Sequence, residues 1–254
     1  MTDTPTPDYE ADELVAQYLF FHYGSASDQF PYALGAADGL NFPQRCAALA
    51  LDNASPDQRG SVLDLGCGVG ASAVALSPHF DRVLALDYSR RFIEAARQLM
   101  DVGQMQLNVP DEANQVKPYA IALPADSRPE RIEWMQGDAQ KLPSEIGPFD
   151  LVLACNLLCR LSRPLELLKR LPALVTNGGT LLISTPLTWL DGLTPIDERI
   201  GDADNSALAV LERQFAGNFR LLKVADMPFL IREHRRKFQY GIAQASVWRR
   251  IKIE

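Results

Sequence analysis

The chain has 254 residues, of which 47% are hydrophobic and 22% are charged, so it can bury a full core without disulfides or metals. Its net charge of −7 disfavours a broad nucleic-acid-binding surface. The start, MTDTPTPDYEADE, lacks the basic and apolar regions of a signal peptide, and no apolar run is long enough to span a bilayer. The four cysteines lack the spacing of a zinc site or a disulfide framework. We therefore expect a reduced, cytoplasmic protein that holds no metal.

The N-terminal part is predicted to be helical and to precede the sheet. Residues 1–8 are polar and contain proline, which predicts a disordered tail. Apolar side chains at helical spacing predict a helix over Glu10–Tyr23, which Gly24 ends. After a turn-rich segment a second helix is expected over Asn41–Leu51, with a proline in its first turn. We interpret residues 9–60 as an N-terminal cap that either packs on the sheet edge or closes as a lid over ligands.

The stretch from Ser61 to Ser72, SVLDLGCGVGAS, is the centre of the predicted fold. Its apolar start indicates a buried parallel strand, and the small apolar residues that follow the glycines indicate a helix. Between them, Gly66, Gly68 and Gly70 permit backbone conformations and close approaches that a β-carbon would block. A strand, a glycine turn and a helix N-terminus together form a cradle for a nucleotide-like ligand.

Two acidic residues indicate which nucleotide-like ligand fits this cradle. Gly66, Gly68 and Ala71 satisfy the loose dinucleotide pattern G-x-G-x-x-G/A, which is weak by itself. Asp64, two residues before the first glycine, would repel a pyrophosphate but suits an ammonium or sulfonium group. Asp87 ends the next predicted strand and can accept hydrogen bonds from ribose hydroxyls, although it also fits an ordinary strand-end acid. The pattern D-x-G-x-G-x-G resembles the first motif of the class I S-adenosylmethionine (SAM) methyltransferases.

The rest of the chain alternates predicted strands and helices. A helix is expected to follow Ser89 as far as Met100, and residues 101–130 are interpreted as an insertion that contains a hairpin around Met105–Leu123. Further strands are expected over Ile132–Gln136, Phe149–Ala154, Thr180–Ser184, Phe219–Val224 and Tyr240–Ile253, with helices over Pro164–Leu174 and Ser206–Phe215. The pattern predicts one α/β domain over residues 9–254, with a doubly wound, mostly parallel, Rossmann-like sheet behind the N-terminal helical cap.

The resemblance to class I methyltransferases implies SAM as the cofactor and S-adenosylhomocysteine as its product. In that class an acid after the third strand, here Asp138, approaches the adenine amino group. Asn156 follows the fourth predicted strand, where the ligand crevice of an open α/β sheet lies. The expected cofactor-binding residues are Asp64, Gly66, Cys67, Gly68, Gly70, Asp87, Tyr88, Ser89, Asp138, Ala139 and Asn156.

The flanking sequences carry a narrower resemblance. It rests on five stretches, YEADELVAQYLFFHYG (9–24), NFPQRC (41–46), CNLLCRL (155–161), TPLTWLDGLTP (185–195) and MPFLIREHRRKFQYGIAQASVWRR (227–250). Together they resemble the methyltransferase of ovothiol biosynthesis, the 4-mercaptohistidine N1-methyltransferase family, in a form not fused to the sulfoxide synthase. The resemblance implies methyl transfer from SAM to the imidazole nitrogen of 5-thiohistidine nearest the side chain, which forms ovothiol A. It also implies a separate sulfoxide synthase of the same pathway, and no nucleic-acid or membrane partner.

This resemblance and the chemistry of the reaction select the remaining candidates. His22 and Tyr23 are predicted to be catalytic, by taking a proton or by orienting the ring. The expected substrate-binding residues are Tyr18, Phe21, Asn41, Arg45, Trp189, Arg232 and His234, with Arg232 as the predicted partner of the substrate carboxylate. For each a structural alternative stands beside the functional one, namely core packing for the aromatic residues, an N-cap for Asn41 and a solvated surface for the basic residues.

Three other functions are compatible with parts of this pattern. The chain could methylate another small amine, thiol or carboxylate metabolite, since no single residue proves a pocket for a thiolated imidazole. It could also bind SAM without catalysis. A nicotinamide-dependent dehydrogenase is a third alternative, and Asp64 argues against it.

Overall fold

The structure, a computed structural model, describes residues 7–251. Its strands are β1 (Ser61–Leu65), β2 (Arg82–Asp87), β3 (Gln104–Pro110), β4 (Val116–Ala122), β5 (Ile132–Gln136), β6 (Phe149–Cys155), β7 (Val175–Thr185), β8 (Phe219–His234) and β9 (Lys237–Arg250). Its α-helices are α1 (Asp12–Tyr23), α2 (Ala26–Gln29), α3 (Phe42–Asn53), α4 (Ala71–Leu76), α5 (Arg90–Val102), α6 (Pro164–Leu174) and α7 (Ala207–Phe215). The disordered tail predicted for residues 1–8 falls mostly on residues outside this range.

Seven strands form one sheet in the order β5-β2-β1-β6-β7-β9-β8. The first five of these are parallel, and β9 runs antiparallel to both of its neighbours. The predicted doubly wound, mostly parallel sheet is therefore confirmed. From β1 the sheet grows first in one direction, to β2 and β5, and then in the other, to β6 and β7. The connections that follow β1 and β6 therefore run to opposite faces of the sheet, which leaves a crevice between the carboxyl ends of these two strands.

Apolar helices cover both faces of the sheet. On one face, Cys46 of α3, Val74 of α4 and Ile93 of α5 pack on β1, β2 and β6 in one buried cluster. On the other face, Leu171 of α6 and Phe215 of α7 form a second cluster with β7 and β9. Parallel strands buried on both faces are expected to be mostly apolar, as β1 and β6 are apart from Ser61, Asp64 and Asp150.

The predicted insertion forms its own small sheet. β3 and β4 pair as an antiparallel hairpin, as the sequence predicts for residues 105–123. The hairpin packs with α1 and α5 in a third cluster, in which Leu19 and Phe20 meet Leu107 and Ile121. The insertion therefore supports the outer side of α1 and fixes this helix beside the sheet.

The C-terminal strands are longer than the sequence predicts. β8 extends ten residues beyond the predicted end at Val224, and β9 begins at Lys237 instead of Tyr240. The two strands pair from Phe219↔Arg250 as far as His234↔Lys237, so they form a hairpin that runs past the end of the sheet. β7 also includes the predicted Asn177-Gly178-Gly179 turn within its bounds. The alternation of polar and apolar residues along a single strand does not reveal its length, because the length depends on hydrogen bonds that the partner strand supplies.

Candidate active site

A cavity of about 870 Å³ opens at the carboxyl ends of β1, β2, β5 and β6. The N-terminal part of the chain, through α1 and the start of α3, closes one side, and the β8–β9 hairpin contributes a second wall. The sequence-predicted residues among its lining are Tyr18, Phe21, His22, Asp64, Gly66, Cys67, Gly68, Asp87, Tyr88, Ser89, Asp138, Ala139 and Asn156. Most of the predicted cofactor residues thus meet at one crevice.

The glycine turn after β1 is built for close approach. Gly66 and Gly68 have φ angles of 68° and 58°, in the left-handed region that favours glycine. A β-carbon on Gly66 would lie 2.8 Å from Leu157 Cδ1, and one on Gly68 would lie 3.3 Å from the His22 imidazole. Gly70 does not line the cavity, and a β-carbon there would lie 2.1 Å from Trp134 Cη2. Its role in the structure is to start α4 beneath Trp134.

Asp64, Asp87 and Asp138 form the edge of the cavity that we call the acidic edge. The Asp64 carboxylate is buried and accepts a hydrogen bond from Ser72 Oγ at 2.6 Å. Asp87 accepts hydrogen bonds from the backbone N–H of Gly68 at 2.8 Å and of Ser89 at 2.9 Å. Burial raises the pKa of Asp64 and that of Asp87 to about 6. An edge with raised carboxylate pKa values favours a ligand that brings positive charge or hydroxyl donors.

The acidic edge continues through the loops after β2 and β5. Ser89 Oγ caps α5 by accepting from the Phe92 N–H and donates to the Tyr9 carbonyl at 2.8 Å. Asp138 Oδ1 accepts from the Gln140 N–H at 2.9 Å and keeps its carboxylate partly exposed to the cavity. Tyr88 is 73% exposed at the rim. The residues present therefore fit a nucleoside with a cationic tail, because acids at the ends of three different strands can contact different parts of such a ligand.

His22 and Tyr23 are both held by the glycine turn. The Ala71 N–H donates to His22 Nδ1 at 3.2 Å, so the ring proton lies on Nε2. Burial lowers the pKa of His22 to about 3, which keeps the imidazole neutral. The Tyr23 hydroxyl donates to the Val69 carbonyl at 2.9 Å and is absent from the cavity lining. His22 can therefore donate a hydrogen bond into the cavity, but its accepting nitrogen is already occupied.

The wall opposite the acidic edge, which we call the facing wall, combines rings with a few polar groups. Tyr18 and Phe21 of α1 line it, and each also packs in the core, with Tyr18 4.7 Å from Phe92 between ring centroids. Phe42 and Phe229 add further aromatic surface. Tyr18 and Phe21 thus line the cavity and pack in the core at once, and a contact of either ring with the substrate stays a prediction.

Asn156 lies between the acidic edge and the facing wall. Its φ of 51° is left-handed, and its backbone N–H donates to the Ser184 carbonyl at 2.8 Å. Its side-chain Oδ1 accepts from Ser184 Oγ at 3.1 Å. Its Nδ2 has no hydrogen-bond acceptor among residues 7–251. Because Ser184 fixes the orientation of the amide, Nδ2 is the group left to donate into the cavity.

Arg160 lines the cavity and was not among the predicted site residues. Its Nε donates to the Tyr9 hydroxyl at 3.0 Å, and its Nη1 donates to the carbonyls of Cys159 at 3.0 Å and Thr188 at 2.9 Å. These contacts join the N-terminal segment to the loops after β6 and β7. The CNLLCRL stretch that contains Arg160 is part of the family resemblance, but the sequence predicts a ligand contact only for its Asn156.

Comparisons with known proteins agree with this geometry. A family model described as a methyltransferase domain matches residues 41–235, which is most of the chain. The chain belongs to the class I SAM-dependent methyltransferases. It is 30% identical over 124 residues to the ubiquinone biosynthesis O-methyltransferase of Coxiella burnetii, a match that covers 49% of this chain and 42% of the relative. The chain thus spans less than half the length of the curated relatives it matches.

Solved structures show the same fold at low sequence identity. The N-methyltransferase NodS from Bradyrhizobium japonicum WM9, in complex with S-adenosyl-L-homocysteine, has a TM-score of 0.55 and 14% identity, and the match covers 91% of this chain and all of NodS. The [4+2]-cyclase SpnF has a TM-score of 0.53 and 15% identity over 83% of this chain and 81% of its own. These likenesses concern the fold alone. Since the family shows a methyltransferase enzyme, the dehydrogenase alternative and the non-catalytic alternative are both set aside.

Four predicted substrate residues of the methyltransferase lie outside the cavity. Arg45 donates to the carbonyls of Leu40 and Pro228 and stacks on Phe42, so its guanidinium is used within the protein. Asn41 precedes α3 with a φ of 54° and forms no side-chain cap. Trp189 packs against the second core cluster, and His234 Nδ1 accepts from the Arg236 N–H at 3.2 Å. We therefore give none of them a ligand contact.

Arg232 is also away from the cavity, contrary to its predicted role. Its side chain is 1% exposed and pairs with Asp111 at 3.2 Å, while Lys117 pairs with the other Asp111 oxygen at 2.6 Å. Arg232 also lies over the rings of Phe20 and Tyr119. The inserted hairpin supplies both Asp111 and Tyr119, and the sequence alone does not indicate that this insertion reaches β8. Arg232 thus binds the hairpin to β8 instead of binding a substrate carboxylate.

The described residues also bear on metals and membranes. Within residues 7–251 no group of three or more His, Cys, Asp or Glu side chains could hold a metal ion. The expectation that the reaction needs no metal remains a prediction. Among the helices of the same range, none is long and apolar enough to cross a membrane.

Proposed function

We propose that this methyltransferase transfers a methyl group from SAM to the side-chain-proximal imidazole nitrogen of 5-thiohistidine and so forms ovothiol A. One observation carries the proposal. The five stretches that resemble the ovothiol family are scattered from residue 9 to residue 250, yet each contributes side chains to the cavity. They supply Tyr18, Phe42, Arg160, Thr188 and Tyr240 in turn. A family-specific likeness that converges on one wall is what shared recognition of a substrate would produce.

The acidic edge would hold the cofactor. Asp87 keeps accepting capacity for ribose hydroxyls beside its two backbone bonds. Asp138 Oδ1 accepts from Gln140, and Oδ2, whose cationic neighbour Lys141 lies 3.7 Å away, keeps accepting capacity for an adenine amino group. Asp64 would face the ammonium end of the molecule. SAM, when bound, supplies the methyl group on its sulfonium sulfur. The glycine turn lets the backbone approach this chain of groups without a β-carbon in the way.

The facing wall would hold the acceptor ring and orient it. Methyl transfer is an in-line displacement, so alignment of the attacking lone pair provides most of the acceleration. The rings of Tyr18, Phe21 and Phe42 offer flat apolar surface for an imidazole. Asn156 Nδ2 and His22 Nε2 are donors that can hold the substrate sulfur, so that nitrogen is presented to the methyl group.

The hydrogen bonds of His22 and Tyr23 leave neither side chain available as a general base, which favours a methyl acceptor whose attacking nitrogen is already unprotonated. His22 Nδ1 is occupied by the Ala71 N–H, and the Tyr23 proton is held by the Val69 carbonyl. An imidazole titrates near pH ~6.5, so it is largely a neutral nucleophile at neutral pH, whereas an alkylamine would need a base. In this proposal His22 orients the ring, Tyr23 supports the glycine turn, and the proton leaves the product imidazolium to water.

The proposal includes a partner in the same pathway. A sulfoxide synthase of the same pathway would supply the carbon–sulfur bond of the substrate. No nucleic-acid partner is proposed, in keeping with the net charge of −7.

Turnover tests the proposal directly. Purified protein is incubated with SAM and 5-thiohistidine, with plain histidine alongside, and products are identified by mass spectrometry with fragmentation. The expected product carries the methyl group on the proximal ring nitrogen of the thiolated substrate, with little methylation of histidine. Methylation on sulfur would keep the enzyme class and contradict the orientation by Asn156 and His22. Absence of product despite S-adenosylhomocysteine binding would direct the search to other small metabolites.

A further inference from the structure

The charged residues around the cavity are unevenly distributed. Asp64, Asp87 and Asp138 lie along the acidic edge, and Asp8 and Glu10 also line the cavity, where the Glu10 carboxylate accepts from the N–H groups of Arg90 and Arg91. Among the described part of the chain, the cationic residues of the lining are Lys141 and Arg160. The Lys141 side chain is 84% exposed and lies 3.7 Å from Asp138. Arg160 is partly buried and has no carboxylate within ion-pair distance among residues 7–251. It is therefore a cation at the cavity without an anion.

Four acceptors, none of them a carboxylate, hold the Arg160 guanidinium in place. Nε donates to the Tyr9 hydroxyl at 3.0 Å, and Nη1 donates to the carbonyls of Cys159 at 3.0 Å and Thr188 at 2.9 Å and to the Cys159 Sγ at 3.3 Å. Nη2 donates to no group within residues 7–251. Because the other nitrogens are fixed, Nη2 keeps one orientation, and a ligand does not need to order the side chain when it binds.

When a partly buried guanidinium has only neutral acceptors, their hydrogen bonds recover only part of the free energy lost when the charge leaves water. Taking a charge out of water is costly, and a carboxylate partner recovers much of that cost through a charge-assisted hydrogen bond. Arg232 shows the alternative within this same chain, because Asp111 fills that role for it at 3.2 Å. Arg45 differs again, since backbone carbonyls use its guanidinium away from the cavity.

We infer that Arg160 is the specificity residue that binds a carboxylate of the methyl acceptor, so that the enzyme takes small anionic acids. This inference rests on the proposed function and names the group that selects its substrate. Thr188, in the loop after β7, anchors Arg160 on the facing wall, and Tyr9 anchors it next to Ser89 of the acidic edge. We assign the carboxylate that Arg160 binds to the acceptor, because the loop after β7 is part of the facing wall, and the affinity for S-adenosylhomocysteine distinguishes this assignment from a contact with the SAM methionine moiety.

The test compares an acid with its neutral ester in three variants. Arg160→Gln removes the charge, Arg160→Lys keeps the charge without the fork, and Arg163→Gln is the matched control, since Arg163 is 63% exposed, absent from the lining and paired with Glu198. The Michaelis constants for 5-thiohistidine and its methyl ester are measured, and the affinity for S-adenosylhomocysteine is measured by calorimetry.

The expected result is a selective loss. Arg160→Gln raises the Michaelis constant for 5-thiohistidine about tenfold or more, as expected for one lost hydrogen bond between charged groups. The constant for the ester and the affinity for S-adenosylhomocysteine stay within about twofold. Arg160→Lys falls between the wild type and Arg160→Gln, and Arg163→Gln matches the wild type. An equal rise for acid and ester, or a parallel loss of S-adenosylhomocysteine affinity, overturns the inference.

Two further readouts cover misfolded variants and an incorrect substrate. If the Arg160 variants do not fold, the wild type alone decides, because equal Michaelis constants for acid and ester overturn the inference. If the wild type does not methylate 5-thiohistidine, the proposed function has failed and the inference is judged by binding. With saturating S-adenosylhomocysteine, L-histidine should then raise the Tm of the wild type more than histamine does, and Arg160→Gln should abolish the difference. Equal shifts, or no shift with either compound, overturn it.

Discussion

The acidic edge and the facing wall of the cavity are built in different ways. Asp64, Asp87 and Asp138 each lie at or just after the carboxyl end of a parallel strand, so their positions follow from local sequence. The facing wall comes from α1, the start of α3, the loops after β6 and β7, and the β8–β9 hairpin. The cofactor side can therefore be recognised from a motif, whereas the substrate side depends on which distant elements meet.

The largest effect is expected for a residue that belongs to neither region. Arg232→Met leaves the buried Asp111 carboxylate with Lys117 as its nearest cation and should lower the Tm by several degrees. The Michaelis constants for SAM and for the acceptor should stay unchanged, because Arg232 does not line the cavity. Calorimetric unfolding and steady-state kinetics check this, with the exposed Arg220→Met on the same strand as the control. An increased acceptor constant at unchanged Tm would return Arg232 to the facing wall.

On the acidic edge, Asp87→Ala should weaken S-adenosylhomocysteine binding about 100-fold. It removes the expected ribose contacts and also the acceptor for the Gly68 and Ser89 N–H groups. Titration calorimetry measures the loss, and Asp81→Ala, an exposed acid just before the same strand, is the control. Unchanged affinity would remove Asp87 from the cofactor site.

The pH dependence of cofactor affinity tests the acidic edge without a mutation. Burial raises the pKa of Asp64 and that of Asp87 to about 6, so at pH 5 each carboxyl is mostly protonated in the free protein. Binding of the ammonium group of the ligand requires the ionised form, and affinity should therefore fall as pH falls through 6. We expect about tenfold weaker S-adenosylhomocysteine binding at pH 5 than at pH 8, with proton release on binding at the lower pH. An Asp64→Asn variant should lose part of this dependence, and a flat profile in the wild type would contradict the assignment.

The smallest effect concerns the contact between α1 and the glycine turn. Tyr23→Phe leaves the Val69 carbonyl without its donor and should lower the free energy of unfolding by about 1 kcal/mol. The pH profile of kcat should stay unchanged, because the hydroxyl does not face the cavity. Chemical denaturation and pH–rate profiles measure the two effects.

His22→Gln should lower kcat without shifting the pH–rate profile, since the imidazole stays neutral above pH 3. A shift in the acidic limb of the pH–rate profile of either variant would show that the substituted residue takes or gives a proton during turnover.

Much of the fold was predictable because its signals are local. The bounds of β1, β2 and β5 and the hairpin of the insertion follow from apolar runs and turn residues. The far half of β8 was missed, because strand length there depends on pairing with β9. Likewise the sequence predicts a ligand contact for Arg232, which is wrong, because its partner Asp111 lies 121 positions earlier in a segment whose packing on β8 the sequence does not indicate.

Local sequence is enough to predict the class of the enzyme, the cofactor motif and the acids that belong to it. Each of those features is a short spacing around a strand end, and backbone geometry turns such a spacing directly into a position. Which basic side chain reaches the cavity depends instead on the tertiary structure. Nothing in the sequence distinguishes Arg160 from Arg45 and Arg232. In the structure, Arg45 donates to backbone carbonyls away from the cavity, and Arg232 pairs with the buried Asp111 carboxylate. Arg160 alone of the three lines the cavity, because charge satisfaction depends on neighbours that folding brings from distant parts of the chain.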